Sequence, residues 1–127
     1  MENFSAGTLK LEVRESASPP GPIQLLWSGR STDRDPVKLF GAYLSEVVAL
    51  GESRRVAVEL HFERLEYFNS STITAILKTL HEAKQRHVKL VLVFDAAVKW
   101  QAVNFASMSQ LFRDDNFLEL RPFSAGK

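Results

Sequence analysis

Cysteine is absent from this sequence. That absence removes a disulfide scaffold, a thiolate metal site and a cysteine nucleophile together, and it fits a reducing compartment. Long apolar runs are also missing. The longest, Leu90 to Phe94, is far too short to cross a bilayer. Met1-Glu2-Asn3-Phe4 opens the chain with an acid and no apolar stretch, so the sequence predicts no secretory signal and a cytoplasmic protein. Nor is there an excess of one charge: 16 Lys and Arg stand against 15 Asp and Glu, a net +1, which argues against a duplex-DNA binder. The six glycines fall into neither a Gly-x-Gly-x-x-Gly nor a P-loop pattern, so no dinucleotide site and no cofactor is read from them.

What is present is the mix of an ordinary globular protein, 45% hydrophobic and 24% charged, which excludes a disordered chain. With 127 residues, the expectation is one domain over 1–127, with an ordered core at about 8–122 and flexible ends. Leu9, Leu11 and Val13 alternate with Lys10, Glu12 and Arg14, a half-buried strand. A loop rich in Pro and Gly, Ser16 to Pro22, leads to a second strand, Ile23 to Ser28, antiparallel to the first. Asp35 and Pro36 open a helix as N-cap and first residue. Val37, Phe40, Leu44, Val47 and Val48 form its core stripe, and Gly51 is expected to end it in the left-handed region.

Arg55 to Phe62 reads as a third strand, with Val56, Val58, Leu60 and Phe62 on one face and Glu59 and His61 on the other. Residues 63–68 read as a turn. A second helix follows Asn69-Ser70-Ser71-Thr72, with Ile73, Ile76, Leu77, Leu80 and Ala83 inward. Lys89 to Phe94 is apolar without alternation, as in a strand buried on both faces. A third helix runs from Ala97 to Phe112, with Phe105, Met108 and Phe112 as core candidates, and Phe117 to Arg121 is a last strand. The fold class is therefore α/β: a mixed, mostly parallel sheet of about five strands with about three helices, in the order β-β-α-β-α-β-α-β. Leu9 to Val13 or Phe117 to Arg121 is an edge strand through which two copies could pair as a homodimer.

No catalytic or metal constellation emerges. His61, His81 and His87 form no His-x-x-x-His pair and read as solvated or satisfied histidines. Asp114-Asp115 reads as a solvated turn, and Ser70 and Ser71 sit in no Gly-x-Ser-x-Gly elbow. Trp27 reads as core. Trp100, beside Lys99 at the edge of an apolar stripe, is the better anchor for a protein partner.

Asn69-Ser70-Ser71-Thr72 stands out. Helix capping by Asn69 or Ser70 accounts for it on local grounds. The same geometry also suits modification. A helix start carries free N–H groups and partial positive charge, so a phosphoryl group there is tolerated by the helix while adding close to two negative charges to the surface.

Arg55 to Leu60, then Leu65 to Ile73, then the helix to Ala83 and the apolar strand to Phe94 resemble the STAS domain of the anti-sigma-factor antagonists. Those carry Asp-Ser-Ser/Thr-Gly at this helix start. Here Asn69 stands for the Asp, and Thr72 and Thr74 stand where the antagonists carry Gly. The divergent SiaC-type branch of biofilm-regulatory phosphoproteins is more similar. It carries Asn-Thr-Ser-Ser and a β-branched residue, as Asn69-Ser70-Ser71-Thr72-Ile73 does with Ser for the phosphorylated Thr. It also has a Gly and a short polar stretch before its first helix, like Gly29 to Asp35.

The resemblance implies a non-enzymatic bacterial signalling protein with a phosphorylation site at Ser70. A serine/threonine kinase would modify Ser70 and a phosphatase restore it, the ATP and Mg²⁺ belonging to the kinase. The unmodified form would bind a protein partner, an anti-sigma factor or a diguanylate cyclase, through Asn69, Ser70, Ser71 and Thr72. Two rivals come from other classes. One is a constitutive scaffold in which the segment is only a cap; the other is a small hydrolase or ligand-binding protein.

Overall fold

In the computed structural model, residues 1–15, 21–111 and 116–123 are described. In chain order the elements are β1 (Phe4–Ala6), β2 (Leu9–Glu15), β3 (Ile23–Ser31), α1 (Pro36–Arg54), β4 (Val58–His61), β5 (Leu65–Phe68), α2 (Ser70–Gln85), β6 (Leu90–Asp95), α3 (Lys99–Leu111) and β7 (Leu118–Phe123). The sheet runs β1-β2-β3-β4-β6-β7, with β5 pairing the far end of β3. β1, β2 and β3 are antiparallel neighbours; β3, β4, β6 and β7 run parallel, so each crossover carries a helix.

The mixed sheet and the three helices match the expected class. The strand count does not: among the described residues there are seven, not about five. The two added strands are three and four residues long, too short for a period of two to show. Residues 65–68, expected as a turn, are β5. They pair parallel with Gly29 to Ser31 after a register shift at Gly29/Arg30. The sheet also begins before residue 8, with Phe4 packed on Tyr43 (ring centroids 5.4 Å). β1 pairs with Leu9 to Leu11, so the Leu9–Val13 strand is not an edge; among the described residues the path ends at β1 and β7. Phe112 and Asp114-Asp115 lie outside the described residues, as does most of the Ser16–Pro22 loop.

Ile23, Leu25 and Trp27 of β3 and Val58 and Leu60 of β4 are buried on the face that meets the helices. Trp27 packs edge-on against Phe40 of α1 at 5.6 Å, and Phe62 lies 5.1 Å from Phe105 of α3. This aromatic chain joins sheet and helices into one core, and Trp27 belongs to it, as its sequence setting suggests. α2 packs alongside α1.

Asp35 caps α1, accepting from the Lys38 N–H at 3.1 Å, with Pro36 first in the helix. The far end differs from expectation. The helix runs on through Gly51, and Arg55 takes the left-handed cap at φ 56°. Gly51 is needed for packing instead: a Cβ there would lie 2.7 Å from Val58 Cγ2. The glycine that needs its backbone freedom is Gly29, at φ +81°, where a Cβ would meet the Thr8 carbonyl oxygen at 1.9 Å.

Candidate functional site at the start of the second helix

β3 and β5 end side by side, and Asn69 follows β5 directly. Its backbone N–H donates to the Ser31 carbonyl at 3.0 Å, carrying the strand pairing one residue further. Its backbone is extended (φ −88°, ψ 174°), as an N-cap requires. The Asn69 Oδ1 accepts from the Thr72 N–H at 2.9 Å and from the Thr72 hydroxyl at 2.7 Å. Its Nδ2 donates to the Asp33 carbonyl at 2.9 Å. Thr72 Oγ1 also lies 2.7 Å from Ser31 Oγ. With its one proton donated to Asn69, Thr72 accepts from Ser31. Of the two capping candidates, the structure has Asn69 as the cap.

The hydroxyls of the segment therefore divide by position. Thr72 is fully buried and joins the start of α2 to the end of β3. Ser71 is half-buried. Ser70, the first residue of α2, is exposed, and its hydroxyl has no hydrogen-bond partner among the described residues. Helix start, cap and anchor are all made without it.

Trp100 lies near this segment although it is 30 positions away in the chain. Its ring packs edge-on against Phe68 at 5.0 Å, and Phe68 immediately precedes Asn69. Tyr67, 40% exposed, lies 6.3 Å from Trp100 and carries the Arg30 guanidinium 5.1 Å from its ring centroid. Trp100 thus touches the end of β5, which leads directly into Asn69, while Thr72 is buried at the helix start.

Sequence reasoning missed Ser31, Tyr67 and Arg30 as members of this site. Ser31 and Arg30 belong to the polar run from Ser28 to Asp35, which gave no sign of a strand reaching so far. It also missed Gln101, which is fully buried and fully used. Its Nε2 donates to the carbonyls of Phe62 (2.8 Å) and Leu65 (3.1 Å), and its Oε1 accepts from the Asp95 N–H (2.8 Å). Gln101 fixes α3, and with it Trp100, to the β4–β5 corner.

The histidines are satisfied or solvated, as their spacing suggests. His61 is half-buried, with Nδ1 3.0 Å from Glu63 and Nε2 2.9 Å from Glu59. The Glu63 hydrogen bond, opposed by burial and helped by Glu59, raises its pKa above the ordinary value. Burial pushes Glu59 up, but hydrogen bonds from His61 and Gln24 and the charge of Arg121 outweigh it and hold the carboxyl below the ordinary range. His81 and His87 are exposed. Among the described residues, no group of three or more His, Asp and Glu is placed to hold a metal ion. No described helix is long and apolar enough to cross a membrane.

No protein-family model and no curated protein matches the chain. Solved structures do. A chain from the complex of the diguanylate cyclase SiaD with its activator SiaC, from Pseudomonas aeruginosa, is 20% identical with a TM-score of 0.59, covering 97% of this chain and 100% of that one. Apo-SiaC from Pseudomonas aeruginosa is 24% identical with a TM-score of 0.55, covering 98% of this chain and 100% of that one. The Bacillus cell fate determinant SpoIIAA in its phosphorylated form is 16% identical with a TM-score of 0.53, covering 87% of this chain and 89% of that one. At these identities the likeness is one of fold: the chain has the STAS-like fold that SpoIIAA and SiaC share.

Proposed function

We propose that this chain is a non-enzymatic signalling protein of the bacterial cytoplasm, whose binding to a protein partner is switched by reversible phosphorylation of Ser70. Among the candidates named above, a diguanylate cyclase suits it best, given the fold's likeness to SiaC; an anti-sigma factor is the other. The observation that carries the reading is the position of Ser70. It is exposed at the first turn of α2, while the cap and the anchor are made by Asn69 and Thr72. A partner kinase would transfer the γ-phosphoryl group of its own ATP to Ser70 Oγ. ADP leaves, and the hydroxyl proton passes to a base of the kinase. A phosphatase returns the hydroxyl by hydrolysis. Neither step disturbs a hydrogen bond of the fold. The dianion is compatible with the helix start, yet it changes the charge that a docked partner meets.

The docking surface in this reading is Asn69, Ser70 and Ser71 with Trp100, the aromatic ring giving apolar contact area to go with the switchable charge. Capture of partners from the host lysate on wild-type, Ser70→Ala and Ser70→Asp protein tests it. The switch predicts one partner held by the first two and released by Ser70→Asp. Equal capture by all three would favour the constitutive scaffold, in which Asn69-Ser70-Ser71-Thr72 serves only as a cap.

A further inference from the structure

α3 has two unlike faces. Gln101, Phe105 and Met108 are buried. Val103, Ala106, Ser107, Gln110 and Leu111 are exposed on the other side, spaced as one stripe of a helix. The solvent face of a helix normally carries charge. The exposed residues of α1 include Lys38, Glu46, Glu52 and Arg54, and those of α2 include Lys78 and Lys84. From Trp100 to Leu111, α3 has no charged residue. It holds instead the two most exposed large hydrophobic side chains among the described residues, Val103 at 57% and Leu111 at 69%.

The polar side chains of α3 do not offset this. Ser107 Oγ donates to the Val103 carbonyl at 3.2 Å and Ser109 Oγ to the Ala106 carbonyl at 2.8 Å. Asn104 Nδ2 donates to the Trp100 carbonyl at 2.7 Å. Each is turned back on the helix's own backbone, so the outward stripe is more apolar than its composition suggests.

The stripe also complements itself. Val103 and Leu111 lie four positions to either side of Ser107. Two copies of α3 crossing antiparallel at Ser107 set Val103 against Leu111 of the second copy, twice over. The small Ala106 and Ser107 then lie at the crossing, where they let the helix axes come close. A twofold axis sets like against like, so a charge beside it would repel its own copy, and this face has none. The ends of the sheet suit a second copy less well. The Phe117 carbonyl accepts from the Leu90 N–H, so alternation turns the backbone groups of residues 118, 120 and 122 outward from β7, and Pro122 has no N–H to offer there. β1 is only three residues long.

We propose that the exposed face of α3 is a homodimer interface, in which two copies pack antiparallel about a twofold axis at Ser107. One helix pair is small beside the roughly 1,600 Å² of a standard interface, so the dimer is weak and reversible. It does not depend on phosphorylation of Ser70.

Sedimentation equilibrium of the full chain, from micromolar to millimolar concentration, is the test. The expected result is a monomer–dimer equilibrium, weakened about tenfold or more in Val103→Lys/Leu111→Lys, which sets charge against charge across the axis. Both side chains are exposed, so the variant's urea midpoint should match that of the wild type and show that it still folds. Ser107→Cys puts one thiol beside the axis in a chain without cysteine. Mild oxidation should link two copies through it, and should link none through Lys84→Cys on α2. A monomer at every concentration would leave the face to a different partner. A dimer that survives the lysine variant and is not cross-linked at position 107 would lie on another surface. Either result overturns the proposal.

Discussion

At Asn69 an amide does what a carboxylate could not. One end accepts from the Thr72 N–H and hydroxyl; the other donates to the Asp33 carbonyl. An aspartate would keep the first role and gain from the helix dipole, but it would turn a second acceptor on a carbonyl oxygen. The loss outweighs the gain, so Asn69→Asp should lower stability by about 1 kcal/mol in urea unfolding, whereas the dipole rule alone predicts a rise. Thr72→Val removes a buried hydroxyl and leaves Ser31 without its acceptor, a cost of roughly 1–3 kcal/mol. Ser70→Ala should cost less than about 0.5 kcal/mol, because Ser70 caps nothing. If Ser70→Ala proved as damaging as Thr72→Val, Ser70 would be structural and could not serve as a free switch. Gln101→Ala takes its hydrogen bonds from the Asp95 N–H and the Phe62 and Leu65 carbonyls, of which Phe62 keeps the Leu65 N–H, and should cost roughly 2–4 kcal/mol in the same assay.

Among the elements, those with a strong period were legible and those held by a distant partner were not. β2 alternates over seven residues, α1 carries a cap and a full stripe, and β6 is a continuous apolar run, and each was readable from its own residues. β5 was not. Its burial pattern is buried, exposed, exposed, buried, and its reason to be a strand is the end of β3 some 35 residues earlier. The end of α1 was misread for a related reason. A glycine before a strand commonly marks a helix stop, but Gly51 answers to Val58 across the core and Arg55 takes the left-handed turn. The site divides in the same way. The cap was legible in Asn69, whereas the burial of Thr72 and the approach of Trp100 depend on β3 and α3. Gly51→Ala tests the packing argument. It should destabilise by roughly 1–3 kcal/mol through overpacking, although alanine is the better helix former. A variant more stable than wild type would show that the added Cβ is accommodated, and would overturn the packing argument.

For the molecule as a whole, the polar network on the sheet face opposite the helices sets a pH window. Its members are Gln24, Glu59, His61, Glu63 and Arg121. The folded pKa of His61 lies above its ordinary 6.5, so its contribution is complete below pH 6.5 and is lost as pH rises through the folded value. Glu59 is held below its ordinary 4.5, so its contribution is complete above pH 4.5 and is lost as pH falls through the folded value. Stability should therefore be greatest between about pH 4.5 and 6.5 and decline on the alkaline side. Urea midpoints at pH 5.5, 7.0 and 8.5 check the decline, and His61→Gln should flatten it. A midpoint that rises with pH across this range would contradict the reading of the network.

The central claim is that Ser70 carries a phosphoryl group which alters binding without altering the fold. Intact mass and site mapping of the protein isolated from its own host, before and after phosphatase treatment, test it most directly. The account predicts one phosphoryl group on Ser70, removed by the phosphatase, with the circular dichroism spectrum unchanged. An unmodified Ser70 under every growth condition tried, or loss of helical signal on phosphorylation, would contradict it.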